Sequence, residues 1–207
     1  DALNIIKHIL KLNFGPINSN ILNALFAILA GEDEDYEGKF KYGITVTPTY
    51  LPTENSKYFE GHTESLVDWL RPYSSDQHES YLRGWLGRML FSGEDSEKLS
   101  KVLSGGEKVR CLFAKMMVEE SNVLIFDEPT NHLDLESITA LNNALIDYTG
   151  TVLFTSQDYQ FINTVANRII EITPNGWINA QCKYEEYLAN PNYQKRRKEL
   201  YKMGSLV

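Results

Sequence analysis

Two cysteines in 207 residues, Cys111 and Cys182, stand far apart with no Cys or His at metal-ligand spacing. That argues against a zinc site and for two reduced thiols rather than a disulfide. No apolar run approaches the length of a membrane-spanning helix. The opening stretch Asp1–Lys11 lacks the basic start and long apolar core of a secretory signal. A cytoplasmic location without membrane insertion is the expectation. Basic charge is also short: 20 Lys and Arg face 28 Asp and Glu, for a net charge of -8. This argues against a broad footprint on naked nucleic acid and leaves room only for a local basic patch. There is no internal repeat and no low-complexity linker. A hydrophobic content of 43% supports one full domain core, not two large ones.

What is there reads as alternating helices and strands. Ile21–Ala30 has a helical face of Leu22, Leu25, Phe26 and Leu29, with Asn18, Ser19 and Asn20 as caps and Gly31 as the stop. Lys39–Tyr50 alternates as a strand or hairpin, interrupted by Pro48. Leu66–Leu70 and Ser80–Phe91 read as helices, followed by the acidic loop Ser92–Glu97 and a helix over Gly106–Glu119. Val123-Leu124-Ile125-Phe126 is short, unbroken and apolar, which is how a strand buried on both faces of a parallel sheet reads. Thr151–Thr155 repeats the pattern after a helix over Leu135–Tyr148. Strand, helix, strand in this order predicts an α/β fold with a mostly parallel sheet. Lys183–Lys202 is charged and aromatic and reads as a helical tail with a solvated face.

Two strings carry chemistry. Leu103-Ser104-Gly105-Gly106-Glu107 stands at a helix start. Its glycines let backbone approach a ligand, and first-turn amides favour an anion. Phe126-Asp127-Glu128-Pro129 puts two carboxylates just past the end of a buried strand, where open α/β sheets bind ligands. One carboxylate suits Mg²⁺, directly or through water, and its neighbour suits orienting or deprotonating an attacking water. His8, His62 and His78 are scattered and read as surface or half-buried residues.

These strings resemble the ATP-binding cassette (ABC) family. Ser104-Gly105-Gly106-Glu107 is similar to its signature, Val123–Glu128 to its Walker B strand, and Asn131-His132-Leu133-Asp134 to its D-loop. Gly105–Arg110 and Glu128–Leu135 are similar to the ABC-F branch in particular, whose members lack transmembrane domains and in many cases act on the ribosome. The resemblance runs from about Leu25 to Glu171 and implies a P-loop NTPase-like cassette over residues 1–182 with a helical signature arm at about 66–105; residues 183–207 remain a charged helical tail. It also implies ATP and Mg²⁺ as cofactors. A second cassette would meet this one head to tail, with ribosome or rRNA as a further partner. In that arrangement Asp127 holds Mg²⁺ and Glu128 polarises water at this chain's own site. Ser104, Gly105, Gly106 and Glu107 face a partner's nucleotide, Asp134 sits at the seam, and His132 fixes the D-loop turn.

The pattern fails on one side. The family's phosphate loop, G-x-x-x-x-G-K-[ST], meets Gly15-Pro16-Ile17-Asn18-Ser19-Asn20-Ile21-Leu22-Asn23 here. Ile21 replaces the last glycine, Leu22 the lysine and Asn23 the hydroxyl residue, so neither the amide cradle nor its charge is present. Pro48 is read at the Q-loop glutamine, and Gln157 at the switch histidine. Glutamine still hydrogen-bonds a phosphate but carries neither proton nor charge.

Overall fold

The computed structural model describes residues 10–12 and 19–202. In chain order the main elements are β1 (Leu10–Leu12), α1 (Ser19–Ala30), β2 (Pro48–Leu51), α2 (Leu66–Leu70), α3 (Glu79–Arg88), α4 (Gly105–Val118) and β3 (Val123–Phe126). There follow α5 (Leu135–Asp147), β4 (Thr151–Phe154), α6 (Tyr159–Val165), β5 (Arg168–Thr173), β6 (Gly176–Ala180), α7 (Tyr184–Ala189) and α8 (Pro191–Lys202). The strands form one sheet in the order β2-β3-β4-β1-β5-β6, parallel except for the β5–β6 hairpin. This is the α/β cassette architecture expected.

All four residues of β3 are buried because both faces of the sheet are covered. Val123 and Ile125 pack with Phe26 of α1 on one face. Leu124 and Phe126 join the larger core on the other, with α2, α3, α4 and α5. The signature arm is therefore part of the main core, anchored by the buried Leu66, Trp69, Leu82 and Leu86.

Several expectations change. Ser19 and Asn20 lie inside α1 rather than capping it, and Asn18 falls outside the described residues. Residues 39–47 form no strand; only Pro48–Leu51 pairs, with β3. Only Tyr42 and Val46 are half-buried there, the rest of the segment is exposed and Ile44 is fully open to solvent, so no continuous buried face exists to fix a ladder. The tail is two helices divided at Asn190–Pro191, since proline removes a helical donor and restricts the residue before it. Its apolar side packs on the core. Tyr187 and Leu200 are buried, and the buried Glu171 of β5 accepts hydrogen bonds from Tyr187, from Arg197 Nε at 2.8 Å and from Tyr201 at 2.9 Å.

Gly31 ends α1 at φ +77°, a left-handed cap that side-chain-bearing residues adopt only at a cost. A Cβ there would meet nothing within 4 Å, so the constraint is conformational alone. Gly31→Val should lower unfolding free energy by about 1 kcal/mol or more, while Gly31→Asn should lose less. Equal urea midpoints for the wild type and the valine variant would contradict this.

Candidate functional site: the strand ends and the signature helix

The parallel ladders put Leu51, Phe126 and Phe154 in one row. Three chains therefore leave the sheet side by side, as Pro52-Thr53, Asp127-Glu128 and Thr155-Ser156-Gln157. Asp127 is buried between its neighbours. Its Oδ1 accepts from Thr155 Oγ1 at 2.9 Å, and its Oδ2 accepts from Thr53 Oγ1 at 2.9 Å. The Asp127 amide donates to Leu51 O at 3.1 Å, and the Glu128 amide to Thr155 Oγ1 at 2.9 Å. Hydrogen bonds to each oxygen offset the cost of taking a carboxylate out of water.

Glu128 has φ +48° and opens a tight turn in which the Asn131 amide donates to Glu128 O at 3.1 Å and that of Leu133 to Thr130 O at 3.3 Å. His132 closes the turn at φ +64°, and Thr130 and Ser156 join hydroxyls at 3.1 Å. Asp134 then caps α5, accepting from the Ser137 amide at 2.8 Å. That bond and the Ser137 side chain hold its pKa below the usual range.

The signature helix α4 starts from a capping box. Ser104 Oγ accepts from the Glu107 amide at 3.3 Å, and Glu107 Oε2 accepts from the Ser104 amide at 2.9 Å. Lys98 Nζ reaches Glu107 Oε1 at 2.9 Å and Asp95 Oδ1 at 2.8 Å. Burial pushes the Glu107 carboxyl up, but the Lys98 ammonium with the Ser104 amide and hydroxyl outweigh it and hold the pKa at about 2. Glu107, expected to face a partner's nucleotide, also closes the cap. The two glycines differ in kind. A Cβ at Gly105 would meet nothing within 4 Å, whereas one at Gly106 would stand 3.2 Å from His132 O. Gly106 permits close packing on the 128–133 turn, and Gly105 leaves an open surface beside the exposed Ser104.

Between the strand ends and α4 lies a cavity of about 500 Å³, lined by Thr53, Glu54, Asp127, Glu128, Gly105 and Lys108 among others. Of the residues expected from sequence, Asp127, Glu128 and Gly105 meet here. Ser104, Gly106, Glu107, Asp134 and Gln157 do not line it. Gln157 stands exposed two residues past Thr155. A larger groove of about 1000 Å³ runs between α3 and α5, but it holds none of these residues. The two carboxylates expected to hold Mg²⁺ and to orient water therefore meet at the smaller cavity.

One alignment is corrected. Pro48 begins β2, paired with Val123 at the far end of the strand from Asp127. Three residues of strand, roughly 10 Å, separate it from Leu51 at the end of β2, and it does not line the cavity. The position beside the carboxylates is Thr53, two residues past Leu51. Thr53, Thr155 and Lys108 were missed. Parallel pairing of Tyr50-Leu51 with Ile125-Phe126 was the signal that could have found Thr53.

The donor set fits a divalent cation at one residue. Asp127 accepts from Thr155 through one oxygen and from Thr53 through the other, and a carboxylate with its several lone-pair sites suits a hard cation or its water. No group of three or more His, Cys, Asp or Glu capable of ligation occurs among the described residues. The phosphate-loop stretch Gly15–Asn18 lies outside the described residues.

A model of the ABC transporter family matches residues 24–131, more than half of the 207-residue chain. The chain is 58% identical over 192 residues to an uncharacterized ABC transporter ATP-binding protein, YkpA, of Bacillus subtilis (strain 168), covering 92% of this chain and 36% of that protein. It is 41% identical to the probable ATP-binding protein YbiT of Escherichia coli O157:H7, over 80% of this chain and 31% of the relative. It is 30% identical to the energy-dependent translational throttle protein EttA of Escherichia coli O6:H1, with 80% and 31% covered. It thus spans about a third of the length of these relatives. Among solved structures, an inward-facing putative metal-chelate type ABC transporter superposes with a TM-score of 0.66 at 19% identity, over 85% of this chain and 72% of that one. RNase-L Inhibitor superposes with a TM-score of 0.68 at 17% identity, over 96% and 44%; both show the shared fold. The chain belongs to the ABC transporter family of ATP-binding cassettes and is of the ABC-F type. No helix among its described residues is long and apolar enough to cross a membrane.

Glu107 sets a pH dependence. Its folded pKa lies below the ordinary 4.5, so its contribution is present above about 4.5 and lost as pH falls toward about 2. Glu107→Gln keeps an acceptor for the Ser104 amide but loses the Lys98 pairing. The variant should be less stable than wild type at pH 7, and the gap should close toward pH 2. A gap independent of pH in urea titrations would contradict this.

Proposed function

We propose that this chain works chiefly through its signature, completing an ATP site whose phosphate loop belongs to a second cassette, while its own site contributes little hydrolysis. The observation that carries the reading is an asymmetry. Ser104 and Gly105 are exposed on a helix start held by a complete capping box, an arrangement suited to a phosphate. On the side facing its own nucleotide, Leu22 replaces the loop lysine, Thr53 stands beside the Walker B carboxylates, and Gln157 replaces the switch histidine.

Asp127 would hold Mg²⁺ and Glu128 would orient water in whatever turnover the own site retains. Mg²⁺ neutralises phosphate charge in such a site. The rest falls to this chain's residues: Ser104 and the first amides of α4 bind the phosphate offered by the partner, and Gly105 keeps the approach clear. Translation is the proposed setting, supported by the ABC-F type and by the name of EttA. The exposed Lys195, Arg196 and Lys198 of α8 provide contacts for RNA phosphate.

Mixing the chain with a cassette that has an intact phosphate loop should raise that partner's ATP hydrolysis. Ser104→Arg should abolish the increase by placing bulk and misdirected charge at the phosphate. If Glu128→Gln removes the increase and Ser104→Arg does not, this chain's own site is the working one and the proposal fails.

A further inference from the structure

If the own site hydrolyses little, a metal ligand there has little to do, yet the setting of Asp127 is fully built. Two lines of contact run from its carboxylate to the first turn of α4. Oδ2 holds Thr53 at 2.9 Å, and three residues on, Ser56 Oγ lies 3.5 Å from Lys108 Nζ, which also sits 6.0 Å over the Phe59 ring. Oδ1 holds Thr155, whose hydroxyl accepts the Glu128 amide. That amide opens the 128–133 turn, and the turn's His132 O is where the first turn of α4 packs, 3.2 Å from a Cβ built at Gly106. Gly106 and Lys108 thus bring both lines to one helical turn, the one that carries the signature.

We infer that Asp127 is a positioning residue for the signature: its carboxylate holds Thr53 and Thr155 so that segment 53–56 and turn 128–133 seat the start of α4. This rests on the reading of the signature as the working surface, and it accounts for a Walker B aspartate beside a changed phosphate loop. Both lines leave the carboxylate through neutral threonine hydroxyls, so in this inference Asp127 supplies the hydrogen-bond geometry at those two hydroxyls. Asparagine preserves that geometry. Its Oδ1 accepts from Thr155, which already takes the Glu128 amide, and its Nδ2 donates to Thr53 Oγ1, whose own hydrogen turns to Asp127 O, at 3.4 Å.

Amide hydrogen exchange on the full chain, without nucleotide, tests this. Asp127→Ala should speed exchange at Glu107, Lys108, Asn131 and Leu133 by on the order of tenfold. Amides of the β5–β6 ladder should stay at the wild-type rate. Asp127→Asn should restore the four amides to within about threefold of wild type. Should the alanine variant fail to fold, Thr53→Val at its exposed position isolates the first line. It should speed Lys108 exchange, with Thr53→Ser restoring it. Asparagine exchanging as fast as alanine would make charge or metal ligation the role of Asp127 and overturn the inference. So would unchanged exchange at α4 in every variant that folds, or equal acceleration in the β5–β6 ladder. Because exchange is read on the chain alone, the inference stands or falls separately from any effect on a partner's hydrolysis.

Discussion

Along the C-terminal edge of the sheet, parallel ladders hold Leu51, Phe126 and Phe154 in one row, and the rest of the site depends on that common register. A slip of one residue in β2 would take Thr53 away from Asp127 and turn the buried Leu51 out of the core. A slip in β4 would do the same to Thr155. Burial on both faces of β3 sets the register firmly, because Val123 and Ile125 must meet α1 while Leu124 and Phe126 meet the larger core. Packing deep in the sheet therefore places two hydroxyls on one buried carboxylate at its edge.

The signature inherits this precision from its neighbours. Gly106 lets α4 approach the 128–133 turn closely, and the capping box closes the helix start without help from the cavity. The outcome is a helix N-terminus seated from behind and open in front. The side facing the chain's own nucleotide offers instead one buried aspartate, one turn-forming glutamate and the cavity cation Lys108. That division is the physical content of the proposal that the chain serves a site completed by another cassette.

Much of this was legible in the residues. Four consecutive apolar residues at Val123–Phe126 marked a buried interior strand, and the serine-glycine-glycine-glutamate string marked a helix start. Both stand where expected, because local pattern and tertiary burial agree there. Within Lys39–Tyr50 only the last three residues belong to a strand; alternation implies a strand only when one face is buried, and most of residues 39–47 are exposed. The same misreading moved the position beside the carboxylates to Pro48. Without a glutamine as anchor, only the pairing of β2 with β3 locates Thr53. Glu107 and Asp134 were read as nucleotide or seam residues from family resemblance, yet each also caps a helix. The solvated face of the tail stands as read, with Lys195, Arg196 and Lys198 exposed; composition did not show that the buried Glu171, which gathers Tyr187, Arg197 and Tyr201, draws the other face onto the sheet.

The central claim, that the signature rather than the chain's own cavity receives phosphate, is tested most directly by photolabelling. The probe is ATP carrying a photoreactive group on its γ-phosphate, applied with and without a cassette that has an intact phosphate loop. The expected result is labelling of this chain at Ser104, Gly106 or Glu107, which do not line the cavity, only when the partner is present. Labelling at Asn23, Thr53 or Glu128 in the isolated chain would contradict the account.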